Sequence, residues 1–494
     1  MRTTVENKRL TDQEFFDERK EVLSLWKTGR DVEDLDAAVA YVKNLPDSKI
    51  MARQVDRAVG EGKPLVIPRS GLPTVDLQIE RDLILQEVGA DAIGVPCDAH
   101  SQIGEYQVIE RLLEERKDGP PEELLNGFPM VNIGVKEMRR YTEALRIPNR
   151  SNNGQVEPRL LAEESIAAGF TEQLYGALSG NVCYHKDFPL ETTLRRYQYV
   201  DRLVDYYASR GADIVRFVHG HHTVMEIPCL DTAQCVVEGL LYLAQQGNDS
   251  RPRYLVLDLV LQGDLIQDVA VCRAIPEIGK EYFEKFGYTN VLVNTEACQW
   301  SGAFPEDEGR ALAINGWQTA AATWGKAAIV VIKSSVESWR IANAKGNAMG
   351  VSAAVQTREL ASRLPFPYEG TKEMALETEM FKKEVRCIVD RILELDGDVA
   401  VAILRACKAG VFDAPFLPTK HLKGCVQAAR DSRGAVRILD PGDLPLTKEI
   451  LDFHREKLAE RAGGRKSLNY RDVLEDVSYF VKDLRRKEAT SVVV

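Results

Sequence analysis

YLVLDLVLQGDLIQDVAVCRAIPEIGKEYFEKFGYTNVLVNT (254–295) decides how the rest of the chain is read. It opens on a nearly unbroken apolar run at 254–261, passes through a helical pattern at 265–287 and returns to VLVNT at 291–295. A short apolar run without polar alternation suits a strand buried on both faces, as in a parallel sheet. Two such runs joined by a helix form one βαβ unit. Moving outward, the same rhythm recurs in PLVIP (64–68), DAIGVP (91–96), MVNIGV (130–135), GNVCY (180–184), DIVRFV (213–218) and AAIVVI (327–332). Helical patterns lie near 75–88, 105–117, 136–146, 159–168, 191–209, 231–247 and 307–324. Eight strands alternating with helices over roughly 270 residues predict an α/β fold, a (β/α)8 TIM barrel. A doubly wound open sheet is the alternative, but it usually needs fewer strands.

The flanks differ. Residues 1–60 read as an N-terminal helical arm, with Thr11 and Glu14 spaced as a capping box. The barrel domain is assigned to 61–355 and a mainly helical C-terminal extension to 356–494. In the extension, 372–395 predicts a long amphipathic helix, with further helices at 446–462 and 470–487. AGGRKS (462–467) reads as a flexible joint.

The 494 residues are 44% hydrophobic and 28% charged, a globular composition with a large core. The net charge of −11 argues against nucleic acid or an anionic membrane as partner. Nine cysteines, an odd number never spaced C-x-x-C, point to reduced thiols and a cytoplasmic location. The charged start MRTTVENKRLTDQEFFDERK is no signal peptide. No run approaches the ~18 apolar residues of a membrane span.

A barrel carries its site at the C-terminal ends of its strands. The predicted ends present Arg69 and Ser70, Asp98 and His100, Lys136, Tyr184 and His185, and His219, His221 and His222. The later strands add Gln262, then Glu296, Gln299 and Trp300, then Lys333 and Glu337. HGHH (219–222) could ligate zinc, nickel or iron, but loop histidines that bind substrate or simply pack are the commoner outcome. No metal site is assigned. DAHSQIG (98–104) is close to the D-x-H-x-x-G signature of cobalamin-binding domains, but its glycine comes one place too late. Lys333 and Glu337 alone are an ordinary i,i+4 pair. There is no phosphate loop, G-x-G-x-x-G or G-x-S-x-G.

LLNGFPMVNIGVK (124–136), RLLAE (159–163), CQWSGAFPEDE (298–308), KSSVE (333–337), LETEM (376–380) and CIVDRILELDGDVA (387–400) together resemble the large, epsilon subunit of glutamate mutase (methylaspartate mutase). The resemblance runs from about residue 10 to about residue 462. It implies an isomerase, a barrel subunit that performs a radical 1,2-rearrangement of a small carboxylic or amino acid with adenosylcobalamin. It further implies that the cobalamin is shared with a small Rossmann-like (sigma-type) subunit, and that two large and two small subunits form a heterotetramer around a dimer of large subunits. The cofactor contacts it implies are Lys333 and Glu337 on the adenosine ribose, with Asn132, Gln299, Trp300 and Phe304 beside them.

At the substrate positions the chain departs from the family. Of three arginines that grip the substrate carboxylates, the first is Arg69, the second falls at Gln102 and the third at Asn152, with Arg150 nearby. The glutamate that meets the substrate ammonium falls at Leu174. One tyrosine falls at Gly180, and the other is retained as Tyr184. Arg69 and Tyr184 are therefore the catalytic candidates, with Gln102, Asn152, Leu174, His100 and His219 as further substrate positions. His221, His222 and Arg216 are candidates for replacement contacts. Losing a guanidinium from a buried carboxylate site leaves a charge unpaired, so the expected substrate differs from L-glutamate. A substrate without the α-amino group or with fewer carboxylates, such as a 2-oxo acid or a specialised-metabolite precursor, would fit. Ordinary glutamate mutase activity, a degenerate non-catalytic binding subunit and a metal-dependent hydrolase are the competing readings.

Overall fold

The computed structural model describes residues 5–115, 124–152, 154–220, 223–247, 250–465 and 467–481. Outside them lie His221 and His222, the last two residues of the predicted helix 105–117, Lys466 of the predicted joint, and the predicted last helix beyond 481.

Eight parallel strands form the barrel: β1 (Leu65–Pro68), β2 (Ile93–Pro96), β3 (Asn149–Asn152), β4 (Phe170–Leu174), β5 (Val215–Val218), β6 (Arg253–Val260), β7 (Val291–Cys298) and β8 (Ile329–Ile332). Hydrogen-bonded order is β1-β8-β7-β6-β5-β4-β3-β2. A parallel bridge between Arg69 and Gly94 brings the two ends of the sheet together. The fold is the expected TIM barrel.

Two predicted strands were misplaced. MVNIGV is helical, as Met130–Ile133 and then Val135–Ala144, with Gly134 at φ 78° between them. Its apolar run exists because Met130 and Val131 pack into the core, not because it is a strand. GNVCY forms a helical turn, Gly180–Tyr184, after β4. The true β3 and β4 read NRSN and FTEQL, too polar to look like buried strands. The cause is what fills the lumen. Strand side chains alternate between faces, and here Arg150, Asn152, Glu172 and Leu174 point inward, leaving Ser151 and Gln173 hydrogen-bonded to each other outside. Glu296 and Asp258 also point inward, and the rest of the lumen is largely apolar, with Ile67, Phe217, Val256, Cys298 and Val331.

The arm and the extension brace this barrel. The capping box at Thr11 and Glu14 is formed. Helix Met51–Glu61 plugs the bottom, with Met51, Ala52, Val55 and Ala58 in the lumen core. In the extension, helix Lys372–Glu394 packs on helices Pro228–Ala244 and Leu265–Lys285. A hairpin of β9 (Gln427–Arg430) and β10 (Val436–Asp440) interrupts the predicted helical region. Gln267 fastens it through the backbone N–H and C=O of Val436.

Candidate functional site

Halfway up the lumen sits a buried ionic layer. Arg150 on β3 makes a two-pronged contact with Glu296 on β7, one arm of it 3.1 Å long. Its Nη1 also lies 3.8 Å from Glu172 on β4. All three side chains are buried. Burial pushes the Glu172 carboxyl up to about 8, Arg150 opposing and Glu296 adding to the rise. One cation between two carboxylates cannot balance both, so one stays protonated.

This has a consequence for stability against pH. The folded-state pKa of Glu172 lies above its unfolded value, so its contribution is complete below the ordinary glutamate range and is lost as pH rises through about 8. Unfolding near pH 7 should release roughly one proton more from the native chain than from Glu172→Gln. Melts in buffers of different ionisation enthalpy would measure this. Equal proton release from the two proteins would show that Glu172 is already ionised.

Above this layer lies a cavity of about 170 Å³, sized for a small acid. Six predicted substrate residues line it: Arg69, Gln102, Asn152, Leu174, Tyr184 and His219. Arg69 extends β1 into the mouth, where Asn347 Nδ2 holds its carbonyl at 3.1 Å. Its Nε is buried with no hydrogen-bond partner, and among the described residues no carboxylate pairs with its guanidinium. Asn152 is 8% exposed, and neither its Oδ1 nor its Nδ2 has a partner. Leu174 stands beside it in the register. Tyr184 is 46% exposed at the rim. The Nδ1 of His219 is 2.8 Å from the Gly220 carbonyl, which can only accept, so Nδ1 carries hydrogen there.

Tyr175 and Ser179 also line the cavity and were missed. They follow the true β4, so correct placement of that strand would have found them at its C-terminal end. Arg150, a candidate third arginine, lies two residues below Asn152 and is committed to Glu296. It does not line the cavity.

The predicted cofactor residues converge at β7 and β8. Lys333 Nζ lies 3.9 Å from Glu337 Oε1 and 5.1 Å from the centre of the Phe304 ring. Burial lowers the Lys333 pKa, and Glu337 partly restores it. Gln299 Oε1 accepts the backbone N–H of Lys333 at 2.7 Å, leaving Gln299 Nε2 buried without a partner. Trp300 is wholly buried, its indole N–H on the Ala303 carbonyl at 3.2 Å and its ring against Phe480 and Arg430. A Cβ on Gly302 would stand 2.4 Å from that ring, so only glycine fits there. Trp300 therefore shapes the loop that carries Phe304. Asn132 stands apart, donating to the Tyr106 carbonyl at 2.8 Å.

Other strand-end candidates have structural partners. Asp98 accepts the backbone N–H groups of His100 and Ser101, so DAHSQIG is a capped turn. His100 pairs with Glu105 at 2.8 Å and does not line the cavity. Ser70 bonds Asp82 and Arg81. His185 meets the Gly154 carbonyl, and Gln262 bonds the Val260 carbonyl. Arg216 points out of the lumen onto Asp201 at 2.9 Å, which removes it as a replacement contact. Lys136, predicted at the end of a strand, is exposed on helix Val135–Ala144. His221 and His222 lie outside the described residues. Among those residues no cluster of three or more metal-ligating groups occurs.

A family model described as "Methylaspartate mutase E chain" matches residues 45–484. The glutamate mutase epsilon subunit of Desulfitobacterium hafniense is 39% identical, covering 95% of this chain and 96% of that protein. That of Escherichia coli O157:H7 is 38% identical over 92% and 93%, and that of Haloarcula marismortui 35% over 95% and 94%. The solved dihydropteroate synthase of Xanthomonas albilineans, 12% identical over 61% of this chain and 92% of that one, has a TM-score of 0.35, too low to bear on function.

Proposed function

Because the chain belongs to the methylaspartate mutase E chain family, we propose that it is the large subunit of an adenosylcobalamin-dependent mutase whose substrate is not L-glutamate. Family membership makes it a cobalamin-dependent isomerase that works with a small, sigma-type partner. Sharing of the cofactor across that contact, and a heterotetramer of two large and two small subunits, belong to the proposal. Its nine unpaired cysteines support a reducing, cytoplasmic setting. No described helix is long and apolar enough to cross a membrane.

The residues suit the adenosine end of the cofactor. Lys333 and Glu337 offer a donor and an acceptor to a ribose diol, Phe304 offers an apolar face, and Gln299 Nε2 is a buried donor in need of an acceptor. When bound, the cofactor supplies the carbon-centred radical that removes a substrate hydrogen. The chain's part is to hold the substrate carboxylate on Arg69, close the mouth with Tyr184 and exclude water from the lumen.

One observation carries the change of substrate: among the described residues a single guanidinium lines the cavity, with Gln102, Asn152 and Leu174 at the positions where the family resemblance implies charged groups. The retained Lys333–Glu337 pair and the polar lining speak against a non-catalytic subunit. With Arg150 committed below, no second arginine among the described residues lines the cavity to support ordinary glutamate binding.

The test is freeze-quench electron paramagnetic resonance of the complex with its small partner and adenosylcobalamin. L-glutamate, 3-methylaspartate, 2-oxoglutarate and monocarboxylate analogues would be compared. A coupled cobalt(II)–radical signal is expected from an acid other than glutamate. A full-strength signal with L-glutamate would refute the changed substrate.

A further inference from the structure

We infer that Asn152 reads the far end of the substrate as a carboxamide, so that the substrate is an acid with one carboxylate and one neutral amide group. This rests on the reading of a changed substrate above. The Asn152 side chain is buried in the cavity wall with both polar atoms unpartnered. Among the described residues none hydrogen-bonds to either atom. Its neighbours in the register are Pro96 and Leu174, which offer no side-chain hydrogen bond. Gly94 stands beside it without a side chain, where a Cβ would come within 3.1 Å of Asn152 Nδ2. Arg150 below gives both terminal nitrogens to Glu296, and its Nε makes no hydrogen bond to Asn152.

Buried polar groups in folded proteins are paired. A donor and an acceptor left side by side on a cavity wall call for a ligand carrying the complementary pair. A carboxamide in the plane of the asparagine does this, its N–H donating to Oδ1 and its C=O accepting from Nδ2, the two-point geometry by which asparagine reads adenine. A carboxylate only accepts. It would meet Nδ2 but set a negative oxygen against Oδ1, and among the described residues Arg69 is the one guanidinium on the wall to repay its desolvation. Arg69, on the other flank of β2, takes the one carboxylate as a bidentate partner. An acid with two carboxylates is thus disfavoured at Asn152 by the same contact that favours the amide.

The experiment is titration calorimetry on the complex with its small partner and adenosylcobalamin, using glutarate and its monoamide, which have the same shape. The native complex should bind the monoamide at least ~10-fold more tightly, a site built for a hydrogen-bonding partner rejecting one that leaves it unpaired. Asn152→Leu keeps volume and removes both hydrogen bonds, and should reduce the preference to within about threefold. Asn152→Arg should reverse it in favour of glutarate. Glutarate binding as tightly as the monoamide, failure of both to bind, or a preference unchanged in Asn152→Leu would each overturn the inference. A radical signal from a non-glutamate acid together with any of these would leave the changed substrate standing. A full signal from L-glutamate would remove the reading beneath it.

Discussion

Arg69→Met should lower kcat/KM by about a thousandfold while leaving the melting temperature nearly unchanged. Among the described residues the guanidinium is the one such group lining the cavity, and no carboxylate is in ion-pair contact with it, Glu337 acting on it only from a distance. Removing one partner of a buried, hydrogen-bonded charge pair costs about 2–5 kcal/mol, and about 4 kcal/mol is a thousandfold in binding. The loss appears only when the other partner, the substrate carboxylate, is present. Without substrate its Nε is unpartnered and it holds no contact ion pair, so its removal should take little from the fold. Arg69→Lys keeps the charge but not the planar two-point contact, and should fall between. Steady-state kinetics of the reconstituted complex with its cognate acid, beside thermal melts of the same variants, would check this. A kcat/KM within threefold of native, or a large drop in melting temperature, would place Arg69 in the fold instead of the chemistry.

Arg150→Met should do the opposite and strike stability first. Arg150 is the cation between Glu296 and Glu172, all three without solvent access. Its removal leaves Glu296 facing Glu172 in the lumen, with Asp258 next to Glu296 in the β6–β7 register. Breaking a buried pair from one side costs about 3–5 kcal/mol, whereas removing both partners together is often close to neutral. Urea unfolding of Arg150→Met should therefore show a loss of that order, and Arg150→Met combined with Glu296→Leu should recover much of it. A single variant as stable as the native chain would mean that the carboxyls take up protons at little cost. Equal losses in the single and double variants would mean that shape, not charge, holds the layer.

The contrast between these two arginines shows where sequence reading works. Strands β5 to β8 were legible because their lumen and outer faces are both mostly apolar, so burial writes itself as an unbroken run such as YLVLDLV. β3 and β4 were not, because the lumen beside them is filled by an ion-paired layer. NRSN and FTEQL carry Arg150, Asn152 and Glu172 where a hydrocarbon core would have left valine or leucine. The decoys MVNIGV and GNVCY had the composition of strands, yet helix and strand share the same apolar residues when a segment is short.

The site was legible in outline only. Arg69, Gln102, Asn152, Leu174, Tyr184 and His219 follow from the sequence and line one cavity. Asn132, His100 and Trp300 were named with them and turn out to be tied to backbone carbonyls, to Glu105 or to the core. The fold and the family are local facts about residue type and order, so the sequence determined them alone. That Asn152 rather than Arg150 reaches the cavity, and that Asn152 arrives there with nothing to bond, only the tertiary structure decided. Whether a lumen side chain is free for a ligand depends on what seven other strands place around it. Glu296, which commits Arg150, lies 146 residues further along the chain.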